Sequence, residues 1–182
     1  MISDGVVLLR DWAPEDAGWF ATTAAGDELI QRYTTLPPTL TERDVRAALV
    51  QREGRADVAG LCVCDPATGE RWGSIAADLT DGVASVSYWL APVARGRGAA
   101  TAALRLFVRR LFEAWPVTEF RLWTHADNAA SRGVAERAGF VRDPALDESR
   151  EVKGGTWPLC GYRLTRPSSR PPAWSAAPTA PG

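Results

Sequence analysis

Ser87-Tyr88-Trp89-Leu90-Ala91-Pro92-Val93-Ala94-Arg95-Gly96-Arg97-Gly98-Ala99-Ala100-Thr101-Ala102 decides how this chain folds. It reads as an apolar strand, a break at Pro92, a glycine-rich turn and the start of a helix. Downstream, Ala100, Leu104, Phe107, Val108 and Leu111 recur at i, i+4, i+7, i+8 and i+11, the stripe of a helix lying on a core. Arg105, Arg109 and Arg110 fall on its polar face. Gly96 and Gly98 lack a Cβ, so the backbone there can take unusual dihedrals and approach a ligand closely. The first N–H groups of a helix have no partner inside it and add to its dipole, which makes a phosphate the natural guest. Arg95 and Arg97 add full charges and forked donors. A diphosphate is expected here. The chain has no Gly-Lys-Ser/Thr for a P-loop. Thr101 stands where a G-x-G-x-x-G/A fingerprint needs glycine or alanine, so a nicotinamide dinucleotide enzyme is an incomplete match.

Working outward, turn chemistry divides the rest. Val6–Arg10 reads as a first strand, and Asp11 and Pro14 open a helix beside an acidic pair. Further helices are expected near 27–33 and from Thr39 or Thr41 to about Glu53. Strands follow at 58–64, 71–79 and 83–90, joined by Asp65–Glu70 and by the tighter Thr80-Asp81-Gly82. After the central helix come a strand at 120–125, a helix at 129–138 capped by Asp127-Asn128 and stopped by Gly139, a strand from Phe140, and a last strand at 155–163. Asp147–Lys153 reads as a charged loop. The stretch 166–182, with Pro167, Pro171, Pro172, Pro178, Pro181 and Trp174, is expected to be a disordered tail.

A chain of 182 residues, 46% hydrophobic and 24% charged, suits one soluble domain. The formal net charge of −1 offers no global field for nucleic acid. No apolar run reaches membrane-spanning length, and the start lacks a basic-then-apolar leader, so neither membrane nor export is expected. Cys62, Cys64 and Cys160 are odd in number, with Cys62 and Cys64 on one strand face. They read as free thiols of a reducing cytoplasm. One histidine, His125, is too few for a metal centre.

Arg95-x-x-Gly98-x-Ala100 resembles the acetyl-CoA signature of the GCN5-related N-acetyltransferases (GNAT), Q/R-x-x-G-x-G/A. Asn128-Ala129-Ala130-Ser131 with Glu136-Arg137-Ala138-Gly139-Phe140 resembles that family's second motif, N-x-x-S/A with E-K-x-G-F. Both occur in the family's order across residues 86–140, and Tyr88-Trp89-Leu90 with Ser131 resembles the Rim-type branch, which acetylates ribosomal-protein N-termini and small amines. The resemblance implies an α/β GNAT fold: a central mixed, mostly antiparallel sheet with a V-shaped splay between its fourth and fifth strands, flanked by helices, over residues 1–165. It implies acetyl transfer from acetyl-CoA to a primary amine by direct attack in a ternary complex, without a metal, in a monomer or homodimer. Backbone groups of Leu90, Ala91 and Val93 would then bond the pantetheine amides. Amides of Arg95, Gly96, Arg97, Gly98, Ala99 and Ala100 would hold the diphosphate. Asn128 would bond the pantetheine arm, and Ser131 would lie near the thioester sulfur.

The chemistry is less complete. Many relatives carry a glutamate on the strand where this chain has Ser85 and Ser87, and a tyrosine acid where it has Ala135. Ser131 is therefore a candidate for contacting or protonating the sulfur. Asp78 is a candidate base, or else only leads into the turn at Gly82. His125 is a second candidate base, or else a loop-entry residue. Trp89 and Trp123 line an acceptor groove or pack the core. Arg32 and Tyr33 fall where the family's early helices cover the acceptor. Arg105, Arg109 and Arg110 reach the adenosine 3′-phosphate or simply face solvent. A catalytically silent acyl-CoA-binding module is the alternative, and the identity of the amine is left open.

Overall fold

The structure, a computed structural model, describes residues 1–166. The proline-rich stretch beyond, with Trp174, lies outside the described residues. Strands β1 (Ile2–Ser3), β2 (Leu8–Asp11), β3 (Val58–Cys64), β4 (Arg71–Thr80), β5 (Val83–Leu90), β6 (Glu119–His125), β7 (Val141–Arg142), β8 (Glu148–Val152) and β9 (Gly155–Thr165) form one sheet. Its order is β1-β2-β3-β4-β5-β6-β9-β7, with β8 also paired to β9. Only the β5–β6 pair is parallel. Helices α1 (Ala17–Gly26), α2 (Glu28–Tyr33) and α3 (Glu42–Arg52) precede the β3–β5 meander. Helices α4 (Ala99–Ala114) and α5 (Ala129–Arg137) flank β6 in sequence.

The β5–β6 contact decides the shape of the site. Val83, Ala84 and Ser85 pair with Glu119, Phe120 and Arg121, and beyond that the strands part. This is the expected splay. It falls between the fifth and sixth strands because the two-residue β1, invisible to patterning, precedes the rest. On one face, α4 buries Ala103, Leu104, Leu106, Phe107, Val108 and Leu111 against the alternate residues Ala84, Val86, Phe120 and Leu122. On the other, Trp89 packs with Trp19 and Phe20 of α1 and Ile30 of α2.

Two local readings need correction. Asp11 ends β2 and caps nothing; a short 3₁₀ turn at Pro14–Asp16 leads into α1, and the Asp16 carboxylate accepts from the Ala13 N–H at 2.8 Å. Residues 148–152 of the expected charged loop are β8. Lys153 and Gly154, at φ 51° and 77°, form the left-handed pair that a tight hairpin requires.

Gly73 of β4 lies opposite Leu90, where the splay is widest. A Cβ there would collide with the Trp89 carbonyl oxygen and stand 2.8 Å from Leu90 Cδ2. Gly73→Ala is expected to destabilise the protein by about 1–3 kcal/mol, measured by urea unfolding.

Candidate active site

The parting of β5 and β6 leaves a cleft of about 1470 Å³. Its mouth is the turn before α4. Gly96 and Gly98 sit at φ 75° and 77°, conformations that favour glycine. Gly98 is the N-cap of α4, and the first backbone bond into the helix is Ala102 N–H to the Gly98 carbonyl at 3.0 Å. The six consecutive N–H groups from Gly96 to Thr101 have no acceptor among the described residues. Six donors at a helix N-terminus, on a cleft lined by Gly96, Gly98, Ala99, Ala100 and Thr101, form an anion cradle.

The arginines of this turn behave differently from the sequence reading. Arg95 donates to both oxygens of Asp27, at 2.7 and 3.1 Å, and through Nε to the Leu90 carbonyl at 3.0 Å. Burial works against the charge on Asp27, but hydrogen bonds from Arg95 and the Ile30 N–H outweigh it and hold the carboxyl below its usual range. The Arg95 charge is therefore matched within the protein, and the side chain ties the turn to the start of α2. Arg97 lies over the Trp72 ring at 6.0 Å, away from the cleft lining.

Strand-like docking by Leu90, Ala91 and Val93 is also narrowed. Ala91 donates to the Trp72 carbonyl at 2.7 Å and accepts from Ala94 at 3.0 Å, so both of its backbone groups are engaged. Leu90 lines the cleft, whereas Ala91 and the exposed Val93 do not. Arg109 and Arg110 stand beside Ile2 and Ser3, about 15 Å along α4 from Ala99. Arg105 donates to the Arg137 carbonyl.

Within the cleft, Asn128 caps α5, its Oδ1 accepting from the Ser131 N–H at 3.0 Å. The Ser131 hydroxyl meets the Tyr88 hydroxyl at 2.9 Å. This pair is not legible from the chain alone, because Tyr88 and Ser131 lie on separate elements. Burial pushes the Tyr88 phenol up to about 12, partly offset by the hydrogen bond with Ser131. Tyr88 thus holds its proton at neutral pH, against the hydroxyl expected beside the sulfur. Ala135, where relatives carry a tyrosine, is fully buried and takes no part.

On the opposite face, Trp89 is only 8% exposed and belongs mainly to the aromatic core, although it reaches the cleft. Tyr33 lines the cleft; Arg32 pairs with Asp127 at 2.6 Å on the surface. Asp78 lines the cleft opposite Ser85, where the strands still pair, and is exposed with no ion pair among the described residues. Trp123 donates to the Leu146 carbonyl at 2.9 Å. Among the described residues no group of three or more His, Cys, Asp or Glu side chains gathers as a metal site.

A split sheet with an amide cradle at the mouth of the split is built for a long ligand with an anionic end. The chain belongs to the GNAT family: residues 7–141 match its Acetyltransferase (GNAT) domain. Solved structures sharing the fold include the ribosomal-protein-S5-alanine acetyltransferase of Vibrio fischeri (15% identity over 93% of this chain and 98% of that one, TM-score 0.80). The spermidine N-acetyltransferase of Vibrio cholerae, solved with CoA and spermine, is similar (16% identity, 89% and 96% covered, TM-score 0.78). So is RimL, a ribosomal L7/L12 α-N-protein acetyltransferase solved with coenzyme A (16% identity, 91% and 96% covered, TM-score 0.76). No curated protein matches the chain by sequence.

Proposed function

We propose that this protein moves an acetyl group from acetyl-CoA to a primary amine, either a protein N-terminus or a small-molecule amine, by direct attack in a ternary complex. The observation that carries the reading is the run of unpartnered amides from Gly96 to Thr101 at the mouth of the β5–β6 gap. It fits a diphosphate, and the gap behind it fits the extended arm of coenzyme A. Acetyl-CoA supplies an activated acyl thioester. The chain's residues supply position and protons. The cradle fixes the anionic end, the splayed edges align the arm, and Tyr88 with Ser131 holds a proton ready for the leaving sulfur. Roughly one α-amine in ten is neutral at pH 7, against one lysine in a few thousand, so an N-terminus needs less help from a base. Tyr33 borders the acceptor side, with Arg32 outside it. Asp78 stays an exposed candidate base. The free thiols of Cys62, Cys64 and Cys160 fit a reducing cytoplasm as the reaction's place.

Calorimetry with coenzyme A and NAD side by side tests the ligand, and mass spectrometry of a lysate given labelled acetyl-CoA tests the reaction. Coenzyme A binding with acetylated amines supports the reading. Binding without turnover makes the chain a silent acyl-CoA-binding module. Tyr88→Phe is expected to lower kcat about 100-fold with coenzyme A affinity unchanged. An unchanged kcat in that variant removes Tyr88 from the chemistry.

A further inference from the structure

We propose that His125, oriented by Asp127, is the general base for the acceptor amine; this rests on the acetyl-transfer reading and adds the residue that receives the nitrogen's proton. His125 is the one histidine of the chain. It ends β6, its backbone fixed by pairing with Leu159. Its carbonyl accepts from the Asn128 N–H at 2.9 Å, and Asn128 in turn caps the turn that carries Ser131. One short segment thus positions both His125 and the sulfur-side hydroxyl.

The imidazole is held on one nitrogen. Nδ1 lies 2.6 Å from Asp127 Oδ1, while Asp127 Oδ2 takes Arg32 at 2.6 Å. Nδ1 also accepts from the Asp127 N–H at 3.3 Å, a contact that serves the opposite tautomer; the carboxylate, charged and closer, favours the proton on Nδ1. The ring is flanked by Tyr33 of α2 at 5.8 Å and Trp157 of β9 at 5.7 Å. The elements packed about it also carry Lys153, bonded to Gln31 of α2, and Arg150, over Trp123. Nε2 has no hydrogen-bond partner among the described residues, and no buried side-chain polar atom there lacks one. Nε2 is therefore open to solvent, and His125 lines the cleft. A carboxylate on Nδ1 and a bare, accessible Nε2 is the arrangement of a base.

Its place in the gap agrees. The strands last pair at Ser85 and Arg121. Tyr88 is three residues along one arm and His125 four along the other, so they stand at similar depth. Tyr88 is on the α4–α5 face with Ser131, and His125 is on the α2 face with Tyr33. Anything threading the gap has the proton donor on one side and the acceptor's base on the other. Asp78, by contrast, stands at the closed end with no ion pair among the described residues to orient it.

The step balances. The acceptor ammonium releases one proton to water. Nε2 takes a second as nitrogen forms the C–N bond. The C–S bond breaks, its electron pair leaves on sulfur, and sulfur takes the Tyr88 proton. His125 then returns its proton to solvent, and Tyr88 regains one.

Two readouts test this on the full chain. The first needs no acceptor: long-range ¹H–¹⁵N NMR of the single imidazole should find the neutral ring protonated on Nδ1 in wild type, a preference that Asp127→Asn relaxes. A ring protonated on Nε2 overturns the proposal. The second follows kcat/KM against pH with acetyl-CoA and two probes, a hexapeptide beginning with serine or alanine and spermidine, products being read by mass spectrometry. The acidic limb should coincide with the histidine titration measured by NMR. His125→Gln and His125→Asn should lose about 100-fold in kcat and flatten that limb, at unchanged coenzyme A affinity. A limb that persists in both variants, or rates near wild type, overturns it. Loss of coenzyme A binding or of all turnover in wild type is instead the failure of the acetyl-transfer reading.

Discussion

Gly98→Glu is expected to lose coenzyme A affinity by at least about 100-fold, roughly 2.7 kcal/mol, while the protein stays folded. Gly98 is the N-cap of α4, with φ at 77°. A Cβ there meets no protein atom within 4 Å, so the side chain projects into open space beside the amides. A glutamate would set a carboxylate against N–H groups that otherwise have no acceptor, in direct competition with the diphosphate. Arg95 cannot relieve this, because Asp27 already takes both of its terminal nitrogens.

The variant also strains the backbone, since a left-handed residue other than glycine costs about 1–2 kcal/mol. Gly69 supplies the matched control. It has φ 75°, an equally open Cβ position, and a place in the β3–β4 turn outside the cleft. Gly69→Glu should show a similar loss of stability with full coenzyme A affinity by calorimetry. Equal affinity in the two variants would remove the α4 N-terminus as the anion site.

What the sequence disclosed follows from the range of each interaction. The α4 stripe, the Asp81-Gly82 turn, the Asn128 cap and the Gly139 stop are settled within a few residues, and each is found where patterning puts it. The β8 strand was hidden because Glu148, Arg150 and Glu151 place charge on both faces of an edge strand, erasing the two-residue period. Arg95 was misread for a different reason. Its partner Asp27 is 68 residues away, and a forked cation beside a glycine turn looks the same whether it meets a phosphate or a carboxylate. Tyr88 and Ser131, 43 residues apart, were both visible as residues but not as a pair. Local chemistry was legible in the chain; the partners that decide which charges are free were not.

The same limit applies to Asp16, whose loss is expected to cost the most stability. Asp16 is 2% exposed and accepts from Arg10 at 2.6 and 2.9 Å, from Arg71 at 2.6 Å and from the Ala13 N–H at 2.8 Å. Burial alone would raise its carboxyl. The donors, Arg10 foremost, reverse that and hold it far below the usual carboxylate range. Asp16→Ala would leave two guanidinium groups and an amide without their acceptor. Removing one partner of a buried pair costs about 3–5 kcal/mol. Arg10 and Arg71 are 23% and 36% exposed, so water compensates in part. That places the expected loss near 3 kcal/mol, a fall in Tm of roughly 6–12 °C for a chain of this size. A carboxyl depressed on folding stabilises the protein above its unfolded pKa and loses that contribution as pH drops below it. The gap between wild type and Asp16→Ala in urea unfolding should therefore be full at pH 7 and narrow below about pH 4, by up to about 1.4 kcal/mol per pH unit. A gap that stays constant from pH 7 to pH 3 would assign the loss to packing alone. The consequence reaches the cleft, because Asp16 ties the start of α1 to β2 and β4. Helix α1 carries the Trp19 and Phe20 rings against which Trp89 is packed. Asp16→Ala should therefore also loosen the acceptor side of the gap, raising the KM for the amine more than that for acetyl-CoA.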